Sequence, residues 1–141
     1  MRYLLDTCVL SELVKKSPAA AVTKWLKRQD ENNLFVSVLT LGEITKGIER
    51  LPDSARKSSL IQWLQTDLTM RFEDRIFDVD SKVASEWGTL AAESERKGKI
   101  CSPIDGLISA TAKVHGCVLV TRNTGDMPLP AKLLLNPWSE N

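Results

Sequence analysis

Short continuous apolar runs alternate along this chain with longer stretches in which apolar residues recur every three or four positions. Tyr3-Leu4-Leu5 reads as a short buried strand, and Leu34-Phe35-Val36-Ser37-Val38 as a strand buried on both faces. Arg75 to Val79 supplies a third strand, Val118-Leu119-Val120 a fourth and Leu133-Leu134-Leu135 a last. Between them the period changes to that of a helix. Helices are expected over residues 7–15, after Ser17-Pro18 with Ala20, Ala21, Trp25 and Leu26, and from Thr40 through Leu51. Pro52-Asp53-Ser54 breaks the chain before a further helix carrying Leu60, Ile61, Trp63, Leu64 and Leu68. Asp80-Ser81 opens one that stops near Gly98, and Ser102-Pro103 opens the last, which stops at Gly116. Alternation of this kind predicts an α/β fold, a mostly parallel sheet flanked by helices.

Length and composition narrow the class. The 141 residues fit one domain with a single sizeable core, and 43% hydrophobic with 26% charged residues is globular composition. No apolar run approaches the roughly 20 residues of a membrane helix, and the chain enters its first strand without a basic stretch, apolar core and cleavage site. A cytoplasmic location is the expectation. The net charge of +1 supplies no global basic field for nucleic acid. Cys8, Cys101 and Cys117 are odd in number and lack CxxC spacing, so neither a disulfide framework nor a zinc site is expected. All three are read as reduced core residues.

The candidate chemistry lies where strands give way to turns or helices. Asp6 follows Leu4-Leu5, Glu43 follows Leu39-Thr40-Leu41-Gly42, Asp105 follows Ser102-Pro103-Ile104, and Asp126 ends Thr121-Arg122-Asn123-Thr124-Gly125-Asp126. Ligands of open α/β sheets bind outside the carboxyl ends of the strands, so these four carboxylates are candidates for one cleft. Clustered carboxylates raise each other's pKa unless a cation sits among them. Magnesium takes such oxygen ligands while keeping several waters, and paired ions stabilise the attacking and leaving oxygens of a phosphodiester displacement. The expectation is a metal-dependent nuclease.

Each acid also has a plainer explanation. Thr40-x-x-Glu43 and Ser102-x-x-Asp105 fit capping boxes, and Asp6 fits a helix N-cap. Capping alone does not predict a common edge for all four. Asn123 is a good turn residue and also a carbonyl ligand. Thr7 and Ser11 suit helix-start hydrogen bonding more than orientation of Asp6 or a metal-bound water, His115 suits a helix terminus, and Arg96, Lys97 and Lys99 suit a solvated helix end more than a phosphate contact. The Leu60 to Leu68 stripe suits core or a subunit interface.

In order along the chain, Leu4-Leu5-Asp6-Thr7-Cys8-Val9-Leu10-Ser11-Glu12-Leu13, Val36-Ser37-Val38-Leu39-Thr40-Leu41-Gly42-Glu43-Ile44, Pro103-Ile104-Asp105-Gly106-Leu107-Ile108 and Val120-Thr121-Arg122-Asn123-Thr124-Gly125-Asp126-Met127 resemble the motifs of PIN-domain ribonucleases. The similarity is strongest to the VapC and FitB type toxins of bacterial toxin-antitoxin pairs. It covers nearly the whole chain, with Cys8 standing where the family usually has asparagine. The resemblance implies a PIN-like fold, Mg2+ or Mn2+ dependence, and cleavage of single-stranded or loop RNA; it does not choose between transfer and ribosomal RNA, since relatives differ in their targets. It also implies a cognate VapB-like antitoxin and DNA contact only through that antitoxin, while the apolar face around Leu60, Trp63 and Leu64 leads us to expect a homodimer. Asp6, Glu43 and Asp105 match the acidic triad; the fourth position falls to Asp126, with Asn123 as its alternative or companion.

Two other readings compete. A haloacid dehalogenase-like phosphatase or phosphotransferase also uses an aspartate after its first strand, yet needs a second aspartate where this chain has Cys8. A non-catalytic PIN-like interaction module would not need the acidic triad.

Overall fold

In a computed structural model describing residues 1–139, five strands form one wholly parallel sheet. They are β1 (Arg2–Leu5), β2 (Leu34–Ser37), β3 (Ile76–Phe77), β4 (Cys117–Val120) and β5 (Leu134–Leu135), in the order β3-β2-β1-β4-β5. The chain builds outward from β1 on one side, through β2 and β3, then returns to add β4 and β5 on the other. A topological switch point therefore lies between the carboxyl ends of β1 and β4, where open α/β sheets receive ligands. The Asp6 N–H extends this pairing by donating to the Val120 carbonyl at 3.0 Å.

Side-chain alternation divides the core between the two faces of the sheet. Leu5, Val36 and Val120 point into a large cluster with Val9, Leu10, Trp25, Ile44, Ile48 and Phe72, whereas the neighbouring Leu4 and Leu119 join Ile108, Ala112 and Met127. The first cluster is roofed by α1 (Thr7–Leu13), α2 (Ala20–Arg28), α3 (Val38–Glu49) and α4 (Ala55–Gln62). The second face is covered by α7 (Pro103–Val114), against which α6 (Ser81–Arg96) packs through Val83, Leu90 and Ala110. α6 and α7 run antiparallel. Asp80 and Lys82, where α6 starts, act electrostatically on His115 at the end of α7, while Ser94 and Cys101 meet near the other end. With α7 ending just before β4 begins, its N-terminus and Asp105 lie at the carboxyl edge of the sheet. Gly116, at φ 65°, makes the reversal into β4.

Several local expectations are corrected. Ser17-Pro18 does not begin α2, which starts at Ala20 with Ala19 at the N-cap. The buried Glu12 carboxylate accepts the Ala19 N–H at 2.9 Å and the Lys15 ammonium at 2.9 Å, so an acid from α1 takes the capping role. Val38 belongs to α3 rather than β2, because the Ser37 hydroxyl accepts the Leu39 N–H and starts the helix there. The apolar stripe from Leu60 to Leu68 does not keep ordinary helical spacing. The helix widens to π geometry over Trp63–Leu68 before the short α5 (Thr69–Arg71). Leu60, Ile61, Trp63 and Leu64 end half-buried against the main core, and Leu68 is buried. Of the strand expected from Arg75 to Val79, only Ile76–Phe77 pairs, while the Arg75 guanidinium donates to the Glu31, Leu34 and Arg71 carbonyls.

Candidate active site

Asp6 is the buried centre of the carboxyl edge, 5% exposed, immediately after β1. As N-cap of α1 it accepts the Thr7 N–H on Oδ1 at 2.8 Å. Its other oxygen faces the switch point and accepts the Thr121 hydroxyl at 2.8 Å, with the Cys8 thiol at 3.8 Å. Capping and a site role thus use different oxygens of one carboxylate. Burial pushes the Asp6 carboxyl above its ordinary pKa against the lowering effect of Thr121 and Thr7, and the charge of Asp105 pushes it further the same way.

Glu43 reaches the same edge from the second turn of α3. Its carboxylate accepts the Thr7 hydroxyl at 2.5 Å, so Thr7 joins the two acids: its N–H bonds Asp6 and its hydroxyl Glu43. The capping-box explanation for Thr40 and Glu43 fails because the N-cap is Ser37. Thr40 is buried inside the helix, and its hydroxyl has no hydrogen-bond partner among the described residues. Ser102 does cap α7, accepting the Asp105 N–H at 3.2 Å, which fixes Asp105 in the first turn with a half-buried side chain. Gly106 follows because Trp87 lies against it: a Cβ there would stand 2.8 Å from the indole Cδ1.

The fourth segment is tied in through its backbone. Thr121 is completely buried, and its hydroxyl accepts the Asn123 N–H at 3.1 Å while donating to Asp6. The Asn123 carbonyl then accepts the Asp126 N–H at 3.0 Å, forming a tight turn over Thr124–Asp126. Both Asn123 and Asp126 are exposed. Lys99 is no solvated helix end: its ammonium donates to the Gly125 carbonyl at 2.6 Å and fastens this turn to the chain leaving α6.

Asp6, Glu43 and Asp105 are therefore coupled in pairs, Asp6 with Glu43 through Thr7 and Asp6 with Asp105 through their charges. Among the described residues no three His, Cys, Asp or Glu side chains stand close enough to hold a metal ion as they are. The donors on offer are carboxylate and amide oxygens, which suit a hard cation. Burial and the charge of Asp105 both disfavour the Asp6 anion, and a bound cation would relieve both.

A family model for the PIN domain matches residues 3–128. The chain belongs to the PIN-domain family. It is 30% identical over 135 residues to VapC ribonuclease Y4jK of Sinorhizobium fredii, covering 96% of each chain. It is 31% identical over 137 residues to Toxin FitB of Neisseria gonorrhoeae, covering 97% of this chain and 99% of that one. The solved structure of FitAB bound to the IR36 DNA fragment contains a chain that superposes with a TM-score of 0.89 at 29% identity, over 99% of this chain and 97% of its own. The parallel five-stranded sheet with flanking helices is the PIN-like fold.

This PIN domain also uses residues that sequence reading passed over. Thr121 lies in the last motif only as the threonine that follows an apolar run, yet it bridges Asp6 to the Asn123 turn. Cys8 is half-buried at the site's edge rather than in the core, where its sulfur accepts the Arg122 N–H at 3.5 Å. Cys101 is also half-buried, Cys117 alone is fully buried, and all three are free thiols. His115 caps α7 and stacks on Phe77 with ring centroids 3.8 Å apart, away from the acids.

Proposed function

We propose that this protein is a Mg2+- or Mn2+-dependent endoribonuclease and the toxin of a type II toxin-antitoxin pair. The observation that carries the reading is Asp6 at the switch point, hydrogen-bonded to the residue that holds Glu43 and destabilised as an anion chiefly by its burial and further by the charge of Asp105. Asp6, Glu43 and Asp105 would hold the ion, with Asp126 as fourth carboxylate and Asn123 beside it. A bound ion would stabilise the charge that develops on the attacking and leaving oxygens of an in-line phosphodiester displacement. The protein's own contribution is orientation. Thr7 and Thr121 hold opposite oxygens of Asp6, Thr7 aims Glu43, and the Ser102 cap sets Asp105 at the start of α7.

Relatives named as a VapC ribonuclease and a toxin, and a FitAB structure on DNA, support RNA as substrate and a VapB-like antitoxin as partner. DNA contact then comes through the antitoxin. Among the described residues no helix is long and apolar enough to cross a membrane. Incubating the purified protein with total cellular RNA in EDTA, Mg2+ or Mn2+ and mapping new ends tests the reading. Discrete ends that need the metal support it, and intact RNA under all three conditions refutes it.

A further inference from the structure

Glu43 opens onto a groove of about 530 Å³ that continues along α3. Its lining includes Thr7 and Glu43 at one end, Lys46 and Arg50 along one side, and Leu39 and Ile104 as apolar wall. At about 100° per residue, positions 42, 43, 46, 47 and 50 all fall within about 140° of the helix circumference, so the two cations share a face with Glu43. Arg50 follows Glu43 by seven residues, about 10 Å along the axis. Both cations are exposed, and neither side chain has an ion-pair or hydrogen-bond partner among the described residues. That separates them from Lys15, Arg71, Arg75 and Lys113, which are committed to Glu12, Glu31 and Glu86.

Gly42 and Gly47 form the floor of the same face. A Cβ at either would meet nothing within 4 Å, so packing does not demand glycine at these positions. Glycine inside a helix is unfavourable; here both positions line the groove and leave open space between the cations and the apolar wall. A single-stranded polyanion with flat apolar bases matches that combination of surfaces.

We infer that this groove is the path of the RNA strand next to the scissile phosphate, with Lys46 and Arg50 as its backbone contacts and Leu39 and Ile104 facing sugar and base. The inference rests on the ribonuclease reading and specifies on which side of Glu43 the strand lies. The protein's net charge of +1 places the burden of phosphate attraction on such local cations.

The test is the salt dependence of binding. A fluorescein-labelled 12-nucleotide single-stranded RNA is titrated by anisotropy between 50 and 200 mM KCl, in Mg2+, with every protein carrying Asp105→Asn to prevent cleavage. Each lost phosphate contact should reduce the slope of log K against log salt by about 0.7. Lys46→Gln and Arg50→Gln should each show that reduction, and the double variant about 1.4. Lys24→Gln on α2, which lines none of the groove, should keep the full slope. In the cleaving protein the groove substitutions should raise KM. A double variant with the full slope and an unchanged KM, or one that loses only antitoxin binding, overturns the inference while leaving the ribonuclease reading intact. If the protein with Asp105 neither binds nor cleaves RNA, both fall.

Discussion

Replacing Thr121 with valine removes one hydroxyl from a fully buried position and changes almost nothing else in shape. The loss falls on three partners: Asp6 Oδ2 loses its 2.8 Å donor, the Asn123 N–H its 3.1 Å acceptor, and the Cys8 sulfur a weaker 3.7 Å contact. A hydrogen bond to a charged group contributes about 1.5 to 3 kcal/mol. At about 3 to 4 °C per kcal/mol for a domain of this size, the unfolding midpoint should fall by roughly 5 to 12 °C. The hydroxyl also lowers the Asp6 pKa, so its removal pushes that carboxyl still higher. If the effect runs through Asp6, the substitution should cost less in an Asp6→Asn background, with a coupling of at least about 1 kcal/mol. Urea denaturation of the four proteins closes the cycle. Additive losses, with no coupling, would refute the claim that Thr121 acts by holding Asp6.

Three further outcomes follow from the same geometry. Because the folded Asp6 pKa lies above its ordinary value of 3.8, the folded state binds the extra proton, and the Asp6 contribution to stability in EDTA should fall as pH rises from there through the raised value, against the opposite trend from Glu12 and Glu31, whose ion pairs lower their pKa values. Asp6→Asn should abolish that component in urea midpoints measured against pH; an identical pH profile in both proteins would count against it. Asp126→Asn should raise the Mn2+ concentration needed for cleavage more than Asn123→Ala does, and the reverse ranking would move the fourth ligand to Asn123. Gly106→Ala drives a Cβ to 2.8 Å from Trp87, so it should cost about 1 to 3 kcal/mol and reduce activity by displacing Asp105 on α7. A fully stable variant in thermal denaturation would show that the indole yields freely.

The elements that positioned the acids were legible because their signals are local. Ser102-Pro103 states both a cap and a first helical residue, Asp80 caps α6, and the apolar runs around Leu4, Val36 and Leu119 have the length and burial of parallel strands. What escaped depended on partners distant in sequence. Glu12 caps a helix seven residues away and displaces the Ser17-Pro18 start. Thr121 acquires its role only when β4 pairs with β1, 115 residues from Asp6. The bond from Lys99 to Gly125 is similarly invisible, since a lysine after a helix ordinarily reads as solvated. The common edge of Asp6, Glu43 and Asp105 was predictable in kind, because each follows a recognisable junction. The division of labour between Thr7 and Thr121 was not.

Glu43 offers the most direct trial of the proposed metal-dependent centre, because it caps nothing and its carboxylate touches only Thr7 among the described hydrogen bonds. Glu43→Gln keeps an acceptor for that hydroxyl and removes the charge. Cleavage of one defined RNA should be measured over a Mn2+ titration for this variant and the parent, alongside their unfolding midpoints. The parent should not cleave in EDTA and should be saturably activated by Mn2+, and the variant should lose more than about tenfold at an unchanged midpoint. Metal-independent cleavage, or a Glu43→Gln protein with the parent's rate and metal requirement, would contradict the metal-dependent centre.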